Sequence, residues 1–296
     1  MLNSISPIDG RYERSAKELS PIFSEGGLMH YRLVVEGEYL IALSELKIKL
    51  RKLSNSEKKL IRSLYNLTEK EAQIISDIDN RGYKNIKATD HDVKAVEYFM
   101  KDKLSNTSLK DILEWIHFGL TSEDTNNLAY ALMLRDGTDV LLENLKKILL
   151  EINKLAKAHA KLPMLARTHG QSASPTTFGK EFKVFSSRLE RQINKLKKQN
   201  ILAKLNGATG NYNAHFVAYP KIDWLKFSKN FITNLNKLET STLQLQPNLI
   251  TTQIEPHDSY IEIFDNVRRI NTILIDFNQD MWRYISDEWI IQKLVG

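Results

Sequence analysis

The chain has 296 residues and no cysteine, which excludes a disulfide framework and any thiolate metal site. Lysine and arginine number 42 against 36 acidic residues, a net charge of +6 that is mild for this length. The basic residues, Lys195, Lys197, Lys198 and Lys204 among them, are expected on solvated helix faces and are not interleaved with base-stacking aromatics, so no nucleic-acid partner is expected. The N-terminus has no basic leader and no apolar run approaches the roughly 18 residues of a membrane span, so a soluble, cytoplasmic protein without a membrane partner is expected.

In chain order, the first quarter predicts short helices over about 28–46, 56–77 and 91–103, separated by polar loops such as Asp79-Asn80-Arg81-Gly82. Beyond Trp115 the periods lengthen. Leu141, Leu145, Ile148, Ile152, Leu155 and His159 step by four and three, and Phe178, Phe182, Phe185, Leu189, Ile193 and Leu196 do much the same. Between these two amphipathic helices Pro163 and Pro175 bracket a polar loop, Arg167-Thr168-His169-Gly170-Gln171, because proline cannot donate a helical hydrogen bond. A block rich in Gly, Asn, Thr and Pro, 206–258, follows, whose 234–247 part reads as a surface insertion. Ile263, Val267, Ile270, Leu274, Phe277 and Met281 then form a third long helix. Period-two alternation is confined to short stretches, so strands are minor.

The expected fold class is all-α, with long heptad-patterned helices and a smaller N-terminal helical domain. Its domains would be 1–113 and a central long-helix domain, 114–296. Three apolar seams joined by short connections leave stripes uncovered unless other chains supply partners, which predicts a homo-oligomer with a multi-chain helical bundle.

Four polar constellations stand against this scaffold. In Asp90-His91-Asp92, Thr89 or Asp90 would cap the following helix, while a histidine between two carboxylates also suits a tuned acid or hydrogen-bond donor. Thr121-Ser122-Glu123-Asp124 has capping-box character, and free N–H groups at that helix start would suit a carboxylate or phosphate. His169 sits among Thr168, Gln171, Ser172, Ser174 and Thr176, beside a glycine that lets a ligand approach. No second histidine lies three or four residues from it, so no metal is expected and general acid–base work is the better functional reading. In Thr251-Thr252-Gln253-Ile254-Glu255-Pro256-His257-Asp258, capping leaves Gln253 and Glu255 unexplained, and both suit a polar substrate.

These segments, with Ser6-Pro7-Ile8-Asp9-Gly10-Arg11-Tyr12, His117-Phe118-Gly119-Leu120 and Asn206-Gly207-Ala208-Thr209-Gly210-Asn211-Tyr212-Asn213-Ala214-His215, resemble successive motifs of the bacterial adenylosuccinate lyases, in order along the chain. The resemblance implies a helical lyase of the fumarase and aspartase superfamily, assembled as a homotetramer and using neither cofactor nor metal. Its reaction would eliminate fumarate from two small-molecule substrates, adenylosuccinate and the succinyl-carboxamide ribotide of purine synthesis. It implies catalytic roles for His169, the acid that protonates the leaving nitrogen, and for His91. It further implies substrate contacts for Arg11, Tyr12, Asp90, His91, Asp92, Thr121, Ser122 and Gln253, with Asp90 standing where relatives commonly have asparagine. The family's Gly-Ser-Ser loop, which carries the general-base serine, does not occur in the 296 residues. A C-terminal domain is likewise expected to be absent. The alternative class is a catalytically inactive truncated homologue that binds nucleotide or assembles with full-length subunits.

Overall fold

The computed structural model describes residues 5–293 and is predominantly helical. A 3₁₀ turn, Pro7–Asp9, precedes α1 (Glu13–Ala16), α2 (Ser20–Phe23), α3 (Glu25–Leu43), α4 (Asn55–Ser63), α5 (Glu69–Asn80) and α6 (Asp92–Leu104). After a second such turn, Lys110–Trp115, come α7 (Ser122–Ala158), β1 (Pro163–Thr168), β2 (Gln171–Thr177), α8 (Phe178–Leu196) and β3 (Asn200–Ala203). The described chain ends with α9 (Asn213–Ala218), α10 (Trp224–Leu235), β4 (Gln244–Pro247) and α11 (Asp258–Ser286).

Local chemistry sets these boundaries. The helix expected over 56–77 is two helices, because the Thr68 hydroxyl accepts from the Glu71 N–H while the Glu71 carboxylate accepts from the Thr68 N–H. This capping box starts a new helix inside a continuous apolar pattern. Ser54 and Glu57 start α4 in the same way.

The chain forms two compact units, residues 1–140 with 200–257 and residues 141–199 with 258–296. The boundary expected near residue 113 falls inside the first unit. The 200–257 block belongs there because β3 is tied to α7: Asn127 accepts the Lys204 N–H at 2.8 Å and donates to the Lys204 carbonyl at 3.1 Å.

The core of the first unit is built from Leu33, Leu40 and Leu43 of α3, Val96, Phe99 and Met100 of α6, and Leu128 and Leu132 of α7. The 234–247 stretch is an integral part of this unit, which corrects the surface insertion expected there. Leu243 and Leu245 are buried, β4 pairs in parallel with β3, and the Asn236 amide exchanges two hydrogen bonds with the Leu245 backbone. The alternation of leucine and glutamine over 243–246 is a half-buried strand pattern too short to stand out in the sequence.

In the second unit the predicted stripe of α8 is buried throughout, from Phe178 to Leu196. Phe182 and Phe185 meet Phe277 of α11 at ring-centroid distances of 6.3 and 5.3 Å. The stripe of α7 is covered only in part: Leu145 and Ile152 are buried, whereas Ile148 and Leu155 remain exposed. Along α11, Ile261, Phe264, Ile275 and Trp282 are exposed.

The bracketed polar loop is a β-hairpin, which corrects the loop expected there, while strands remain minor as expected. Pro163 opens β1, and Pro175 lies within β2 opposite Leu165. A two-stranded ribbon has only edge strands, in which proline is tolerated where the missing donor would face solvent. Among the described residues no helix is long and apolar enough to cross a membrane.

Candidate active site

In the first unit the start of α6 meets the start of α7. Asp90 takes a left-handed conformation with φ 46° and donates its N–H to the Asp79 carbonyl at 2.9 Å, turning the chain so that His91 enters the helix. His91 is itself the N-cap, in place of the Thr89 or Asp90 expected there. Its Nδ1 accepts the Lys94 N–H at 3.3 Å. A backbone N–H can only donate, so the neutral ring carries its proton on Nε2, which lies 3.1 Å from Ser122 Oγ. The structure thus joins two of the expected site residues, His91 and Ser122. Asp92 pairs with the buried guanidinium of Arg32, whose Nε donates to Asn126 at 2.9 Å, so its carboxylate is engaged within the protein.

Thr121, just before the start of α7, is positioned by Asp124, which the sequence pattern marks only as part of a helix cap. Asp124 is fully buried. Its carboxylate accepts N–H groups from Thr121 at 3.0 Å, Asn206 at 3.0 Å and Gly207 at 3.1 Å. It also pairs with Lys204 Nζ at 3.0 Å. Lys204 is therefore not on a solvated face, as expected, but fully buried, and it donates a second bond to the Gly207 carbonyl at 2.9 Å. Lys195, Lys197 and Lys198 are exposed as expected. From this hub Asn206 reaches Thr251 at 2.8 Å, linking the 206–212 loop to the 251–257 segment. Gly210, with φ 77°, passes so close to that segment that a Cβ would stand 2.1 Å from the Thr251 carbonyl oxygen. Gln253 is exposed. Glu255 is buried and accepts from Asn248 at 2.8 Å and from the His257 N–H at 3.3 Å, so it shapes the loop instead of facing a substrate.

One level deeper lie two histidines, His117 and His215, for which the sequence motifs suggest no role. His117, in a left-handed conformation, places Nδ1 2.6 Å from Oε1 of the fully buried Glu36, which also accepts from Thr125 at 2.8 Å. Burial works to lower the His117 ring, but the charge and hydrogen bond of Glu36 override it and hold the ring above its ordinary value. Lys94 and Glu97 of α6 also act on it, in opposite senses. A signal for this pair was present: Glu36 falls in the stripe Leu33, Leu40, Leu43, an acid where a leucine belongs. His215 is enclosed by Phe118, Tyr212 and Trp224, and burial pushes it down to about 4. Tyr39 donates its hydroxyl proton to the Phe118 carbonyl at 2.8 Å, so His215 Nε2, 2.8 Å from the same hydroxyl, is the donor to it.

Arg11 and Tyr12 are exposed beside the first 3₁₀ turn, the guanidinium 5.7 Å from the ring centroid. No hydrogen bond or ion pair among the described residues joins them to the His91 cluster. His169 belongs to the second unit, at the tip of the hairpin. Thr168 pairs with Gln171, so the turn is the two residues His169 and Gly170, with φ 48° and 74°. Positive φ at both positions is the signature of a type I′ hairpin turn, whose twist matches that of the strands. Arg167 steadies it, donating to the Gly170 carbonyl at 3.2 Å and pairing with Asp287 at 3.5 Å. The imidazole is exposed and nothing lies within 4 Å of a Cβ built on Gly170, so a ligand can approach this tip. Among the described residues no group of histidine and carboxylate side chains could hold a metal ion.

The adenylosuccinate lyase of Legionella pneumophila (strain Corby) is 46% identical over 300 residues, a match spanning 100% of this chain and 62% of that protein. The adenylosuccinate lyases of Haemophilus influenzae and Escherichia coli K12 are 45% and 42% identical with the same coverage. The chain thus spans about three-fifths of the length of these relatives, 62%. In fold it is similar to the fumarate lyase from Mesorhizobium sp. BNC1, with a TM-score of 0.67, 16% identity, and coverage of 91% of this chain and 57% of that one. It is equally similar to the β-carboxy-cis,cis-muconate cycloisomerase from Acinetobacter calcoaceticus, with a TM-score of 0.67, 20% identity and the same coverage. A family model described as Lyase matches residues 10–295, and the chain belongs to that lyase family.

Proposed function

We propose that this chain carries the acid side of an adenylosuccinate lyase active site, working in a cytoplasmic homotetramer. Its identity of 42–46% to adenylosuccinate lyases across its whole length carries the reading. The reaction is a β-elimination: a base removes the proton from the carbon next to a carboxylate, the electron pair forms the fumarate double bond, and the carbon–nitrogen bond breaks. His169 gives the departing nitrogen its proton, on a turn that leaves the ring accessible. Thr121 and Ser122 hold a carboxylate of the succinyl group, and His91, bound to Ser122, fixes the geometry from the other side. Arg11 contributes a bidentate grip on an anion, and Tyr12 and Gln253 further polar contacts. Asp90 supports the site through its turn and Asp92 through Arg32. The serine base of the family has no counterpart in these 296 residues. The exposed apolar side chains of α7 and α11 supply the surface for assembly.

The test uses the protein at the length of its relatives, assayed for fumarate release from adenylosuccinate beside argininosuccinate. Release from the first alone is expected, and His169→Ala should lower kcat by roughly 10²–10⁴ with little change in KM. Equal turnover of both substrates, or a kcat that survives the replacement, would overturn the assignment. A light-scattering mass of one chain at micromolar concentration would refute the assembly.

A further inference from the structure

The second unit contains a feature that the proposed elimination does not use. Arg188, Arg191 and Gln192, one turn of α8, face Arg268, Arg269, Thr272 and Ile273 of α11 across a cleft of about 330 Å³. All four charged residues lining it are arginines. Two carboxylates answer them: Asp276 accepts from Arg188 at 2.7 Å, and Asp265 accepts from Arg268 at 3.1 Å while lying 3.9 Å from Arg269. The Arg191 side chain makes no hydrogen bond or ion pair among the described residues, and the cluster keeps two positive charges in excess. Gln192 uses its carbonyl oxygen to accept from the buried Asn266 at 3.1 Å, which leaves its amide N–H groups as donors. The guanidinium groups and the Gln192 amide thus rim an apolar floor at Ile273, where Arg268 and Arg269 share one carboxylate and Arg191 has none.

We propose that this groove binds a multiply charged oxyanion of the phosphate class, held by Arg191 and Arg268 with support from Arg188, Arg269 and Gln192. Guanidinium forks from two helices match the geometry of such an anion, which would supply an acceptor for Arg191 and offset the two positive charges in excess. The proposal does not rest on the lyase reading, because every residue in it lies outside the candidate active site.

The test is calorimetric titration of the full chain with inorganic pyrophosphate, with AMP as a second arm. Saturable binding at one site per chain is expected. Arg191→Gln/Arg268→Gln should weaken it at least about tenfold, the effect of losing one charge-assisted hydrogen bond. Lys195→Gln/Lys198→Gln removes the same charge from exposed positions of the same region and should change affinity less than about twofold. Competition by AMP would identify a nucleotide phosphate as the ligand, and its absence would identify free phosphate. An anion held at the start of α7 would survive the arginine replacements, so their effect separates this groove from the candidate active site. Absence of saturable binding, or equal weakening in both variants, overturns the proposal. So does a fall in assembly mass in the arginine variant without any pyrophosphate binding, which would assign the cluster to contact between copies.

Discussion

Replacing Asp124 by asparagine breaks the buried pair with Lys204 while leaving side-chain size unchanged. Both partners are fully buried, so neither charge can turn to water. The two halves of the pair are unequal. Without Lys204 the carboxylate keeps the N–H groups of Thr121, Asn206 and Gly207, whereas without Asp124 the ammonium keeps only the Gly207 carbonyl. Leaving a buried charge unpaired costs about 3–5 kcal/mol. Asp124→Asn should lie at the upper end of that range and Lys204→Met below it. The first unit contains about 200 residues, for which each kcal/mol shifts Tm by about 2–4 °C, so Asp124→Asn should lower Tm by about 10–20 °C. The double variant Asp124→Asn/Lys204→Met carries no unpaired charge and should recover more than half of the loss. Thermal unfolding followed by circular dichroism at neutral pH measures all three. If Lys204→Met is the more damaging single change, or if the double variant is no more stable than Asp124→Asn, the reasoning fails.

Two histidines set opposite pH slopes on either side of about pH 6.5. His215 is held down to about 4 by burial, so below about pH 6.5 the unfolded chain binds a proton that the native state refuses. About 3 kcal/mol of stability should be lost between pH 6.5 and pH 4, and His215→Gln should flatten that limb of a denaturant-measured profile. An unchanged slope would show that other groups dominate it. His117 is held above its ordinary value, so its contribution is present below about pH 6.5 and disappears as pH rises through the folded-state value. Glu36→Gln should abolish this loss on the alkaline side, and a persistent decline in the variant would exclude the pair as its cause. Gly210→Ala should cost about 1–3 kcal/mol, because a Cβ would collide with the Thr251 carbonyl at a left-handed backbone position. A Tm within about 1 °C of the parent would show that the loop accommodates it.

The sequence by itself determined the long helices, because the stripe Phe178 to Leu196 repeats often enough for its period to be unambiguous. It also singled out short polar segments such as Asp90-His91-Asp92 and Thr121-Ser122, of which the structure brings His91 and Ser122 within hydrogen-bonding distance. It misread segments whose structure depends on partners distant in the chain. The hairpin carrying His169 has too few residues for a visible alternation and is defined by pairing across a two-residue turn. The half-buried strand at 244–247 exists because β3 lies beside it. Lys204 looked like one more surface lysine, and Glu255 like a free substrate ligand. Each is fixed by a partner, Asp124 eighty residues earlier and Asn248 across a loop. Only the tertiary structure could decide these cases, because whether a charged side chain is solvated or buried depends on what the fold brings within hydrogen-bonding distance, and local sequence carries no record of that distance.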